Sequence, residues 1–242
     1  MTLGPIPATA PALTRAVERK STKVRTWQAG TSGSGLLLAL TLFLPAMKGC
    51  GDQPDVPVAH WTKMVADRDF SVDNIRTLLV CYGLAYVFGA LACGGALARW
   101  ADQPRWAQRS SRCTVALILL TTGILALSVL EPRHGSFTRT YSPEGPLWLV
   151  PAAGMTSLWL WAAQRLRERA PLGYALLGSM LCGCWFAYWI ITTDHPLYGI
   201  YLSLFGSLGV AVATVGEVSA ITGSSLPRAA ANLLTCRPTG VG

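Results

Sequence analysis

Two long uncharged runs dominate the pattern of polar and apolar positions. Leu172 to Thr193 is 22 residues without a charge, Leu197 to Gly216 is 20 more, and only Asp194-His195-Pro196 separates them. At about 1.5 Å per residue, each run reaches across roughly 30 Å of hydrocarbon. So short a turn makes the two runs antiparallel neighbours, and the stretch predicts a membrane hairpin. The pattern recurs upstream. It predicts an all-α integral membrane protein, a bundle of six transmembrane helices with spans at about 31–50, 75–98, 113–130, 146–163, 172–193 and 197–221. Together these make a transmembrane domain over residues 32–223. Before it, 1–31 reads as a disordered basic cytoplasmic tail, and after it 224–242 reads as a second cytoplasmic tail.

Local signals place some of the ends. Ser71 is a good N-cap, Asp73 suits the positive end of a helix, and Phe70 can staple against Ile75. Pro151 stands early in the fourth span, where a missing N–H costs least. The first span is the weakest, because its apolar core is only Leu36 to Met47, with Pro45 near the end. The alternative for that segment is an export signal ending at Cys50. Lys48 and Pro45 fit a lipoprotein signal badly, and a retained span is the expectation.

Composition agrees with the pattern. Charged residues make up 13% of the chain, against about 25% in an ordinary soluble domain. The net charge of +8 would suggest an acidic partner such as nucleic acid in a soluble protein. Here the basic residues lie beside the apolar runs. With six spans, 14 of the 20 Lys and Arg fall on the side of the two termini and 6 on the other, which puts both termini in the cytoplasm.

Candidate chemistry is sparse. Glu217 is the one acidic residue in the apolar part of the last span. An ionisable group at depth suggests a proton or cation role. Since 20 residues already separate Leu197 from Gly216, the expectation is that Glu217 lies hydrated at the cytoplasmic boundary. Asp194 and His195 in the hairpin turn are the other candidates for a polar site. His60 and His134 share the predicted outer side with His195, but the three are scattered and match no ligand spacing. Cys182 and Cys184 point about 200° apart on a helix and cannot pair without unwinding it. Most of the 7 Cys lie in apolar runs, so thiols are expected. Trp159, Trp161, Trp185, Phe186, Tyr188 and Trp189 crowd the fourth and fifth spans as anchors or core.

Small residues recur every four positions at Ser203, Ser207 and Ala211 and at Ala85, Gly89 and Cys93. Such stripes let helices approach closely, within the bundle or between copies of the chain. No catalytic, cofactor-binding or metal motif is present, and nothing resembles a phosphate-binding glycine loop. Phe43-Leu44-Pro45 followed by Gly49-Cys50, and the run Leu204 to Glu217, resemble segments of small bacterial membrane proteins. That resemblance implies a bacterial inner membrane and no particular activity.

These readings converge on a non-enzymatic membrane component. Its expected partners are the lipid bilayer, other membrane proteins or itself, and not nucleic acid. A small carrier or substrate-binding membrane subunit is the alternative. An enzyme resting on the loop His and Asp residues is a third reading.

Overall fold

A helix begins far earlier than the apolar pattern allows. In the computed structural model, which describes residues 10–44, 84–130, 156–162, 169–192 and 196–236, helix α1 runs over Ala10–Leu40 and continues as a 3-10 turn, Thr41–Phe43. Residues 10–31, expected as disordered tail, are therefore helical. The part of α1 that packs on the bundle carries a buried stripe: Gln28, Thr31, Gly35 and Leu38. Their spacing of three and four places them on one side, as in a coiled-coil seam. Three of the four are polar or lack a side chain, so a search for apolar periodicity passes over them.

The other helices are α2 (Leu84–Trp100), α3 (Pro104–Leu130), α4 (Ala170–Thr192), α5 (Tyr198–Thr222) and α6 (Leu226–Leu234), with a short helical segment at 156–162. Every regular element among the described residues is a helix, so the fold is all-α. Two helices, Ala170–Ile191 and Tyr198–Thr222, are long and apolar enough by length and composition to cross a membrane. They are the two arms of the predicted hairpin. The start of the second expected span, most of the fourth with Pro151, and the end of the first fall outside the described residues, as do Asp194 and His195.

Helix ends follow local chemistry. Pro104 is the first residue of α3 and Pro171 the second of α4, positions where proline's fixed φ is already helical and its missing N–H costs nothing. Between α2 and α3 the chain turns through Asp102, at φ 52°, and the Gln103 N–H donates back to the Ala98 carbonyl at 2.8 Å. That is a Schellman-type stop with Asp in the left-handed position. Gly223 ends α5 in the same region at φ 71°.

Five helices close a ring: α1 packs on α2, α2 on α3, α3 on α4, α4 on α5, and α5 returns to α1. Phe88 of α2 fills the middle, against Gly178 of α4, where a side chain would strike its ring. Around it gather Leu38, Tyr86, Phe186, Ile200 and Val210. α1 and its 3-10 extension cover Gly89 and Cys93 of one small-residue stripe and Ser203 of the other. Gly89 lies against Gly35 so closely that a Cβ on Gly35 would stand 2.7 Å from the Gly89 carbonyl oxygen. On α5 the buried line is Ser203, Ser207, Val210, Thr214 and Glu217, again with steps of four and three, and Ser203 donates to the Thr41 hydroxyl at 2.9 Å. Ala211 rotates off that seam toward the α4 side, where Leu172 and Leu176 pack.

The expected tail at 224–242 also contains a helix. In α6, Ala229 and Leu233 are fully buried against Leu172, Leu176 and Val218, while Leu226 and Leu234 face outward. The Trp159 indole N–H donates to the Leu234 carbonyl at 3.0 Å, tying the end of α6 to the segment 156–162. Leu233→Ala should release α6 locally, at a cost of about 2 kcal/mol, the low end for a buried leucine. Hydrogen exchange should then speed up across Leu226–Leu234 and remain slow in α5.

Candidate functional site: a buried ionic cluster

Glu217 is buried in the bundle, 1% exposed, which corrects the expectation of a hydrated boundary position. The seam geometry explains it. Position 217 continues the α5 line that faces α1, and Gly216 beside it has no side chain. A Cβ there would run into the Trp27 ring, so α1 lies flat on α5 at this level. The charge is not alone. Arg99, at the end of α2, donates from Nε to Oε1 at 3.1 Å and from Nη2 to Oε2 at 3.0 Å. Gln28 of α1 adds its side-chain amide N–H to Oε1 at 3.0 Å. One carboxylate thus receives donors from two other helices, and α1, α2 and α5 meet at it.

The fork of the guanidinium matches the two carboxylate oxygens, the geometry in which such pairs are strongest. Two charges taken out of water lose their hydration, and only good geometry with additional hydrogen bonds offsets that loss. The Arg99 fork and Gln28 meet both conditions. The pair is unequally buried, since Arg99 keeps 18% of its side chain exposed while Glu217 keeps almost none. The arginine is the member with access to water.

A crevice beside Arg99 is lined by Phe88, Gly95, Ser110, Thr114 and Pro171. Its free space is about 10 Å³, enough for one water molecule. The Ser110 hydroxyl on its wall donates to the Leu91 carbonyl at 2.7 Å. The arrangement can hold three helices in register.

The other candidates do not join it. Asp194 and His195, between α4 and α5 in the sequence, lie outside the described residues. Among the described residues no three of His, Cys, Asp and Glu come together. Cys182 and Cys184 are free thiols, as are Cys93, Cys113 and Cys236. Burial pushes the Cys236 thiol, just past α6, above its usual pKa, so it stays protonated at neutral pH. Trp185 is half-buried and meets Trp189 edge-on at 5.8 Å within α4. Sequence reasoning missed Arg99, just past the expected end of the second span, and Gln28, inside the expected tail.

The Lys and Arg whose side chains are described stand toward the end of the bundle where this cluster lies: Lys23 and Arg25 on α1, Arg99, Arg105, Arg109, Arg112, Arg169 and Arg228. The described residues at the opposite end carry no charge. Comparison with protein-family models, with curated proteins and with solved structures finds no match to this chain.

Proposed function

We propose that this chain is a multi-pass membrane protein, a non-enzymatic component whose outer face binds lipid or another membrane protein, with its basic end in the cytoplasm. The observation that carries this reading is the polarity of α5. Phe205, Leu208 and Val212 point outward, while Ser203, Ser207, Thr214 and Glu217 point inward. In water, burial of apolar surface would favour the reverse. In lipid, small and polar residues hold helices together and large apolar ones face the chains. Leu36, Leu40, Phe43, Leu119, Leu120 and Ile191 extend the apolar exterior over α1, α3 and α4. The gathering of basic residues at one end supports the orientation.

A carrier, the alternative, needs its ionisable group to open on a cavity. Glu217 has both oxygens engaged by Arg99 and Gln28, and this favours a structural role for it. The protein should remain in the membrane fraction after an alkaline carbonate wash. Reporter fusions after Arg109 and Arg167 should read cytoplasmic, and fusions after Asp55 and Arg139 exported. Release by carbonate, or a cytoplasmic signal after Arg139, would sink the proposal.

A further inference from the structure

We infer that the outer face of the first turns of α3 is a binding site for an anionic lipid headgroup, an inference that rests on the membrane reading above. Arg105, Arg109 and Arg112 are all exposed, and their spacing of four and three puts them within about 60° of one another on the helix. They extend along about 10 Å of α3, a length comparable to the headgroup layer at one side of a bilayer.

Two tryptophans frame the cluster. Trp106 is 60% exposed and Trp100, across the turn at the end of α2, is 51% exposed. The Arg109 guanidinium lies 5.0 Å from the centre of the Trp106 ring, a cation–π contact that holds it in place while its N–H groups stay available. An exposed indole beside a fixed guanidinium suits the boundary between acyl chains and phosphates, because the ring is apolar and its N–H is not.

The local charge selects the sign of the headgroup. Among the described residues, Glu217 is the buried acid at this end and is occupied by Arg99, and the exposed Asp102 in the turn before α3 is one negative charge against three positive. Arginine binds phosphate oxygens with paired N–H donors, and basic clusters at the cytoplasmic side of membrane helices draw anionic lipids. The occupant is therefore a phospholipid of net negative charge rather than a zwitterionic one.

The test is native mass spectrometry of the purified full-length protein in a neutral detergent, titrated with phosphatidylglycerol, phosphatidylcholine or inorganic phosphate. Phosphatidylglycerol should bind about tenfold or more tightly than phosphatidylcholine. The variant R105Q/R109Q/R112Q should lose about tenfold of the phosphatidylglycerol affinity, with phosphatidylcholine unchanged. R105K/R109K/R112K keeps the charge and should keep most of the preference, so it also decides the matter if the Gln variant does not fold. Equal affinity for the two lipids in the native protein, an unchanged preference in the Gln variant, or loss of preference in the Lys variant would overturn the inference. So would inorganic phosphate competing as well as the lipid does. Equal lipid affinities in a protein that resists carbonate extraction would remove this site alone. Release by carbonate would remove the membrane reading first.

Discussion

Arg99→Met should destabilise the bundle by about 3 kcal/mol, because it leaves the Glu217 carboxylate buried without its counter-charge. Methionine fills similar space, so little of the loss would come from packing. Glu217→Gln should cost less, about 1–2 kcal/mol. The Gln amide can still accept from Gln28, and the orphaned Arg99 is the member with access to water. Combining Arg99→Met with Glu217→Gln removes both charges and should restore most of the stability, to within about 1 kcal/mol of the native protein. The interaction energy from this cycle should then exceed about 2 kcal/mol. Unfolding in mild detergent would supply all four values. Simple additivity, or a near-neutral Arg99→Met, would return Glu217 to a hydrated position at the membrane boundary.

The second large effect is expected where α1 and α2 touch. Gly35→Ala places a Cβ 2.7 Å from the Gly89 carbonyl oxygen and 2.8 Å from the Cys93 nitrogen, and both of those atoms are backbone. No side chain can swing aside, so the helices must part along the seam. Gly89→Ala meets the same obstacle from the other side, at 2.8 Å from the Gly35 oxygen and 2.9 Å from the Ala39 nitrogen. Each substitution should cost about 2–3 kcal/mol, the upper part of the range for overpacking. Gly33 provides the control. It lies two residues away on the same helix with nothing within 4 Å of a Cβ, and Gly33→Ala should be neutral or stabilising by up to about 1 kcal/mol. Thermal unfolding of the three variants in one detergent separates helix propensity from interhelix contact. Equal effects at Gly33 and Gly35 would mean that α1 does not pack here.

How much of this was legible depended on whether the signal was local. The arms of the hairpin, Leu172–Thr193 and Leu197–Gly216, are continuous in sequence and reappear as α4 and α5. The small-residue stripes were visible too. A step of four could not place Ala211, because two helices packed along their length share a seam of 3.5 residues, which runs through Val210 instead. The seam of α1 was hidden because its members Gln28, Thr31 and Gly35 are polar or bare, and the first of them resembles part of a tail. In α6, the core contribution of Ala229 and Leu233 is two residues in nine, too few to stand out beside Pro227 and Arg228.

Glu217 stands out in the sequence as an acid in an apolar helix, but its environment depends on Arg99, 118 residues earlier, and Gln28, 189 residues earlier. Counting residues along one helix placed it at a boundary. The count could not register that α1 extends beside α5 at that level and covers it. A lone carboxylate at the end of an apolar helix does demand a partner, and Arg99 at the end of α2 answers that demand. Choosing it over Arg112 or Arg169 needed the order of helices around the ring.

The lipid-facing exterior is the claim on which the rest depends, and it is tested most directly by spin labels at positions 205, 208 and 212 of α5. These would be introduced one at a time after replacement of the 7 native cysteines by serine, in protein reconstituted into bilayers. All three side chains face outward in the structure. Collisions with oxygen, which concentrates in hydrocarbon, should be frequent at each position, and collisions with a water-soluble nickel chelate should be rare. Ready access of the nickel chelate to all three labels would contradict the account.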